Sequence, residues 1–217
     1  MANSDQGELS TREYILHLLK TKGALSTKEL TEELGITIMA VRRHIQSLER
    51  DNLITSQTIR QSMGRPTAVY ELTEQASGFF PNKYHTLTLE LLHELEDYFG
   101  EEAVEKLFEG RKDKLIKKYD TSMQGKDIAE RVALLASIQN ENGYMVELEQ
   151  INEEEYLLKE HNCPIKQVAG KYKHACQCEL KMFRSLLGDA EVTRTDCLAD
   201  GGQRCTYSIK ARKEKKQ

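Results

Sequence analysis

No cysteine occurs in the first 162 residues, and all five that the chain has fall between Cys163 and Cys205. No apolar run approaches the roughly 18 residues that span a bilayer. The opening segment, Met1 to Leu9, is polar and lacks the basic-then-apolar order of a secretory signal. Also missing are a P-loop, a GxSxG elbow, an HExxH pair and a dinucleotide fingerprint, which argues against an enzyme. No internal repeat or low-complexity segment is present. These absences predict a cytoplasmic protein without a membrane partner, in a compartment where thiols stay reduced. Its cysteines are then free, metal-bound or redox-active rather than a disulfide framework.

What is there suffices for two domains of ordinary size in 217 residues. The net charge of −4 argues at first against nucleic acid, but the distribution matters more than the sum. Arg42, Arg43, Arg50, Arg60 and Arg65 face only Glu49 and Asp51 across the same stretch, while Glu90 to Glu160 is strongly acidic. Ser10-Thr-Arg-Glu13 and Ser26-Thr-Lys-Glu29 each fit a capping box at the start of a helix. Tyr14, Ile15, Leu18 and Leu19 recur at helical spacing after the first, and Leu30 and Leu34 after the second. Gly35 stops that helix, and Thr37 caps a third running to about Asn52, with Val41, Ile45 and Leu48 on one stripe. Three short helices with a glycine turn before the third form the helix-turn-helix pattern. Two runs of β character, Leu53 to Arg60 and Thr67 to Thr73, add a wing.

The face of the third helix opposite its apolar stripe carries Met39, Arg42, Arg43 and Gln46, with Thr37 at its start. Those side chains suit phosphates and guanine edges in a major groove. Arg65, at the Gly-Arg-Pro tip of the hairpin, suits a narrow minor groove. The expected partner is a double-stranded DNA operator.

Phe79-Phe-Pro-Asn-Lys-Tyr84 reads as a junction. Leu87 to Phe99, Glu101 to Tyr119 and Ile128 to Gln139 are predicted helical, with apolar stripes that pack on each other or across a dimer. From Gly143 the period changes to two. Tyr144 to Glu149 and Tyr156 to Glu160 read as a hairpin, followed by a helical stretch to Gly188 and strands over Val192 to Leu198 and Cys205 to Ile209. The fold class is α+β. Residues 1–80 form a winged helix-turn-helix domain, 81–142 a helical linker and dimerisation segment, 143–210 a small cysteine-containing α+β domain, and 211–217 a basic tail.

Cys163 and Cys176 are thirteen positions apart, which on one straight helix is roughly 20 Å, too far to share a site. Sharing requires a break at Gly170-Lys-Tyr-Lys-His174. Two helices are predicted, about Pro164–Ala169 and His174–Leu187, with Cys176 on the first turn of the second, where backbone N–H groups favour a thiolate. Cys205 follows a Gly-Gly turn. Cys178 points about 200° away from Cys176 around the helix, and Cys197 fits a core position on its strand. These spacings match neither paired zinc knuckles nor a bacterial ferredoxin run, so metal ligands and small buried hydrophobes both stand.

Over nearly its whole length the chain resembles the SufR-type iron–sulfur-sensing repressors, which have a winged-helix, DeoR/ArsR-like N-terminal domain. The resemblance rests on Met63-Gly-Arg-Pro-Thr-Ala-Val-Tyr-Glu-Leu-Thr73, Phe80-Pro-Asn-Lys-Tyr84, Glu130-Arg-Val132, Gly143-Tyr-Met-Val-Glu147, Glu160-His-Asn-Cys-Pro-Ile165 and Gly202-Gln-Arg-Cys-Thr-Tyr207. It implies a homodimer carrying a [4Fe–4S] cluster, which can be absent after aerobic purification. The cluster-bound form would repress genes for iron–sulfur cluster assembly, with cluster loss relieving repression. Carried onto this chain, the implied ligands are Cys163, Cys176 and Cys205. Where relatives tend to place His, this chain has Cys178, so the fourth ligand stays open among Cys178, Cys197, a histidine such as His161 or His174, and an exogenous group. Two other readings compete: a winged-helix regulator answering a small organic effector, and a thiol-oxidation switch at Cys176 or Cys205.

Overall fold

The computed structural model describes residues 9–60 and 66–212, and the chain divides into two compact units, Met1–Asn82 and Lys83–Gln217. The first unit begins with α1 (Thr11–Lys22), β1 (Leu25–Ser26), α2 (Thr27–Leu34) and α3 (Ile38–Arg50). Both expected capping boxes form. The Ser10 and Ser26 hydroxyls accept from the backbones of Glu13 and Glu29, and each glutamate reaches back. Gly35 takes the left-handed φ of 64° that stops α2, its N–H bonding the Thr31 carbonyl at 3.0 Å. Helix α3 ends at Arg50, two residues before the expected Asn52. Asn52 itself adopts a left-handed φ of 58°, which asparagine tolerates, and turns the chain into the wing.

The wing is β2 (Ile54–Ile59) and β3 (Thr67–Leu72), with sheet order β1-β3-β2. Two-residue β1, not foreseen from periodicity, pairs Leu25 with Tyr70. Ile15, Leu16 and Leu19 from α1, Leu30 from α2 and Val41, Ile45 and Leu48 from α3 close over Leu53, Ile54 and Ala76 as one core. Each such side chain contributes about 1.5–3 kcal/mol by leaving water. A 3₁₀ segment, Glu74–Phe79, ends the unit.

The second unit runs α4 (Tyr84–Phe99), α5 (Glu101–Met123), α6 (Ile128–Glu141), β4 (Val146–Asn152), β5 (Glu155–Glu160), α7 (Lys166–Lys171), α8 (His174–Leu186), β6 (Ala190–Asp196) and β7 (Cys205–Ala211). Its four strands are antiparallel in the order β4-β5-β7-β6. Alternation decides what is buried. On β5 the inward set is Tyr156, Leu158 and Glu160, and on β7 it includes Cys205, Tyr207 and Ile209. Met182, Phe183 and Leu186 of α8, with Val132 and Leu135 of α6, cover that face. The helices expected as a linker and the sheet expected as a separate domain share this one core.

The expected break between Cys163 and Cys176 falls between α7 and α8. The expected strand Val192 to Leu198 stops at Asp196. A bulge there sets Arg194 opposite Tyr207 and Asp196 opposite Thr206, so one extra residue is inserted and the alternation inverts. Cys197 therefore turns inward, 6% exposed. Helix α4 has no buried residue, and Tyr84, Leu87, Leu91 and Tyr98 stand exposed along it.

Phe183 is fully buried, its ring 4.7 Å from that of Tyr207. Phe183→Ala is expected to cost about 3–5 kcal/mol, seen as a lower denaturant midpoint at unchanged slope. A loss below about 1 kcal/mol would mean that this ring pair does not anchor α8 to the sheet.

Candidate functional site

Two groups of residues stand out, one in each unit. In the first unit the periodicity that buries Val41, Ile45 and Leu48 leaves Met39, Arg42, Arg43 and Gln46 exposed along the opposite side of α3. Met39 is 72% exposed, a large apolar side chain left uncovered among the described residues. Thr37 is the N-cap and accepts from the Ala40 N–H at 3.2 Å. Arg65 lies outside the described residues, as does most of the expected basic tail.

In the second unit, three segments bring sulfur to one end of the inner sheet face. Cys163 lies between β5 and α7, Cys176 is on the first turn of α8, and Cys197 and Cys205 flank the turn between β6 and β7. Cys176, Cys197 and Cys205 are buried and Cys163 is half-buried. The Cys205 sulfur accepts the Leu198 N–H at 3.3 Å. Cys197 lies close enough to act on the ionisation of each of the other three. The turn is tight: the Gly202 N–H bonds the Cys197 carbonyl at 2.9 Å. A Cβ on Gly202 would meet that oxygen at 2.8 Å and collide with the Asp196 carboxylate, which accepts the Cys197 N–H. Glycine is required there by space.

Burial dominates the chemistry of this group. It pushes the Cys163 thiol up to about 11 and Cys176 up to about 12, the latter further raised by the Cys197 sulfur. Cys205 is also driven up by burial. The start of α8 therefore does not yield the thiolate expected at Cys176, because desolvation outweighs the backbone N–H groups. At neutral pH all three keep their protons.

Carboxyl groups that the sequence did not single out lie beside the sulfurs. Glu160 sits opposite Cys205 in the β5–β7 ladder and is fully buried. One of its oxygens accepts from Gln139 Nε2 at 2.8 Å, and among the described residues the other has no partner. Desolvation, reinforced by Glu179, raises this acid to about 9. Burial raises Glu179 as well, although it accepts the Tyr207 hydroxyl at 2.8 Å and is bonded by Tyr144. Arg194 supplies positive charge and donates to the Cys176 carbonyl at 2.9 Å. The signal for Glu160 was its place in the alternation after Tyr156 and Leu158.

The remaining ligand candidates go elsewhere. His161 is exposed and lies 3.1 Å from a Glu147 oxygen. His174 and Cys178 share one face of α8 and meet Glu109 of α5, the ring nitrogen Nε2 of His174 lying 3.1 Å from that carboxylate. Of the open candidates for a fourth ligand, Cys197 alone joins Cys163, Cys176 and Cys205. Four soft sulfur donors fit an iron–sulfur cluster or a thiolate-bound metal, and fit a hard oxygen-seeking cation poorly.

A family model described as an HTH domain matches residues 11–63, so the first unit carries a helix-turn-helix domain. No curated protein matches the chain in sequence. Solved structures similar to parts of it include Lactococcus lactis ZitR in complex with DNA, at 26% identity over 57% of this chain and 81% of that one, with a TM-score of 0.29. Another is the adhesin competence repressor AdcR of Streptococcus pyogenes, at 24% identity, 57% and 85% coverage, and a TM-score of 0.30. A third is the reduced form of the transcriptional regulator YodB from B. subtilis, at 21% identity, 42% and 80% coverage, and a TM-score of 0.28. Among the described residues no helix is long and apolar enough to cross a membrane.

The Glu160 carboxyl has a testable sign. Below its unfolded value near 4.5 both states hold the proton, and between there and about 9 only the folded state does. Native stability is therefore lost as pH rises across that window. Glu160→Gln keeps an acceptor for Gln139 and cannot ionise, so the variant should gain on the wild type steadily from about pH 5 to about pH 8. Parallel stability profiles for the two proteins would show that Glu160 ionises freely in the fold.

Proposed function

We propose that the chain is a DNA-binding transcriptional regulator, acting as a homodimer, whose second unit holds a [4Fe–4S] cluster on Cys163, Cys176, Cys197 and Cys205. The observation that carries this reading is that these four cysteines, from three separate segments, belong to or pack against one core, with Cys197 close enough to act on each of the other three. A cluster would supply a cationic iron core that replaces the thiol protons and a redox- and oxygen-sensitive link between the segments. The likeness to SufR-type repressors names three of the same cysteines, and the fold supports Cys197 as the fourth in preference to Cys178, His161 or His174.

The chain's own residues would transmit the state of the site. Cys163 ties down the segment before α7, Cys197 and Cys205 the turn around Gly202, and Cys176 the start of α8. Helix α8 packs along α5, and α5 along α4. The bare apolar line of Tyr84, Leu87, Leu91 and Tyr98 on α4 suits a second copy, and α4 follows the DNA-binding unit directly in sequence. A dimer would present two α3 helices to half-sites one helical turn apart, with Arg42 and Arg43 on phosphate or guanine and Met39 against a thymine methyl. Repression of cluster-assembly genes in the cluster-bound state follows from the resemblance.

A second reading rests on a different observation. An open cavity of about 610 Å³ lies between α4, α5 and α7, lined by Leu92, Leu107, Phe108 and Ile165 with Cys163 in its wall. That volume and lining suit a small organic effector.

Protein purified without oxygen is expected to carry about four irons per chain and a broad visible band. Cys197→Ser and Cys205→Ser should lose both, and Cys178→Ser should keep them. Iron-free, colourless protein under those conditions would transfer the case to the organic effector, and retention of iron by Cys197→Ser would remove that residue from the ligand set. On a duplex selected from a random pool, Arg42→Ala and Arg43→Ala should each weaken binding and lower the salt slope by about one. Unchanged affinity in both variants would remove α3 from the groove.

A further inference from the structure

We infer that Glu109, His174 and Cys178 form a second cation site, separate from the four-cysteine group, for a borderline-soft divalent metal of the zinc class. The donors come from two helices packed on each other. His174 and Cys178 are one turn apart on α8, and Glu109 projects from α5. The ligand atoms all lie within 4.8 Å of one another, with His174 Nε2 3.1 Å from Glu109 Oε1. Tetrahedral bonds of about 2.0–2.3 Å place ligand atoms roughly 3.3–3.8 Å apart, so small side-chain rotations close the set. Sulfur, imidazole nitrogen and carboxylate oxygen together select zinc-like ions over magnesium or calcium.

The surroundings add an independent mark of a metal site. Glu105 lies one turn before Glu109 on α5, with its oxygen 3.7 Å from the other ring nitrogen of His174. With Nε2 on a metal, the Nδ1–H faces that carboxylate, the arrangement that orients metal-bound histidines. His174 and Glu105 line an open cavity, which gives entry. Two cations now neutralise Glu109: Lys112 at 2.7 Å and Lys181 at 2.5 Å. Both ammonium groups sit on long flexible stems, and Lys112 has a second carboxylate, Asp113, at 3.1 Å to turn to. On binding, the Cys178 thiol releases its proton to solvent, a metal–sulfur bond forms, and the lysines withdraw. No electron is transferred. The bound ion would pin α5 to the helix that carries Cys176, giving the regulator a second input.

The test uses the full chain, stripped of metal, with Co²⁺ as the spectroscopic substitute for Zn²⁺. The Cys197→Ser/Cys205→Ser double variant dismantles the other thiol group and serves as the background. In it, one Co²⁺ per chain is expected with a thiolate-to-cobalt charge-transfer band and tetrahedral d–d bands, displaced by one equivalent of Zn²⁺. Adding Cys178→Ser should abolish the charge-transfer band, adding His174→Ala should abolish tight binding, and adding Glu105→Gln should weaken it about tenfold. If the background does not fold by circular dichroism, wild type against Cys178→Ser decides, through a difference of one Co²⁺ per chain. Equal Co²⁺ count and affinity with and without Cys178 and His174 would overturn the proposal and leave an ion-pair network. Failure of the iron assay on the four cysteines leaves this result untouched.

Discussion

The second unit depends on one constraint, the loss of water at the inner face of β5 and β7. The two-residue period of the strands places Glu160 and Cys205 on the same buried face as Leu158, Tyr207 and Ile209. Anions are expensive there, so the acid and the thiols hold protons, and Gln139, Tyr144 and Tyr207 are spent satisfying carboxylates rather than solvent. The same low dielectric strengthens attraction to any cation that enters. Burial under one dry sheet thus holds Glu160 and the thiols of Cys163, Cys176 and Cys205 in their protonated form.

Much of this was legible in the sequence where the signals were local. Two capping boxes, a glycine stop and apolar residues at helical spacing specify α1 to α3 without any tertiary information, and the face of α3 follows by elimination. The break between α7 and α8 was legible because thirteen residues of straight helix cannot bring Cys163 to Cys176. Cys197 was not. Its inward turn depends on a bulge between Arg194 and Asp196 whose register is set by the partner strand, and bulges leave no simple pattern in a single strand. The carboxylate facing His174 was equally hidden, since Glu109 precedes it by 65 positions and looks like any exposed acid on an amphipathic helix.

The two units spend their apolar residues differently. In the first, the apolar stripes of the three helices are consumed by a single core, and what remains outside α3 is Arg42, Arg43 and Gln46 beside the exposed Ile38 and Met39. In the second, α6 and α8 are consumed by the sheet, while α4 keeps its outer line uncovered. That helix packs on α5 and α7 within its own unit and bonds Tyr172 through Glu96, while its exposed line of large side chains is the kind of surface that marks an interaction site.

The half-burial of Cys163, against the near-complete burial of the other three sulfurs, makes the group approachable from one corner. Cys163 forms part of the wall of the open cavity, whereas Cys176, Cys197 and Cys205 are not among its lining residues. A thiol reagent therefore meets Cys163 first, and under the proposed cluster the same corner would be where the site first loosens, in the short stretch of chain before α7 rather than in the sheet.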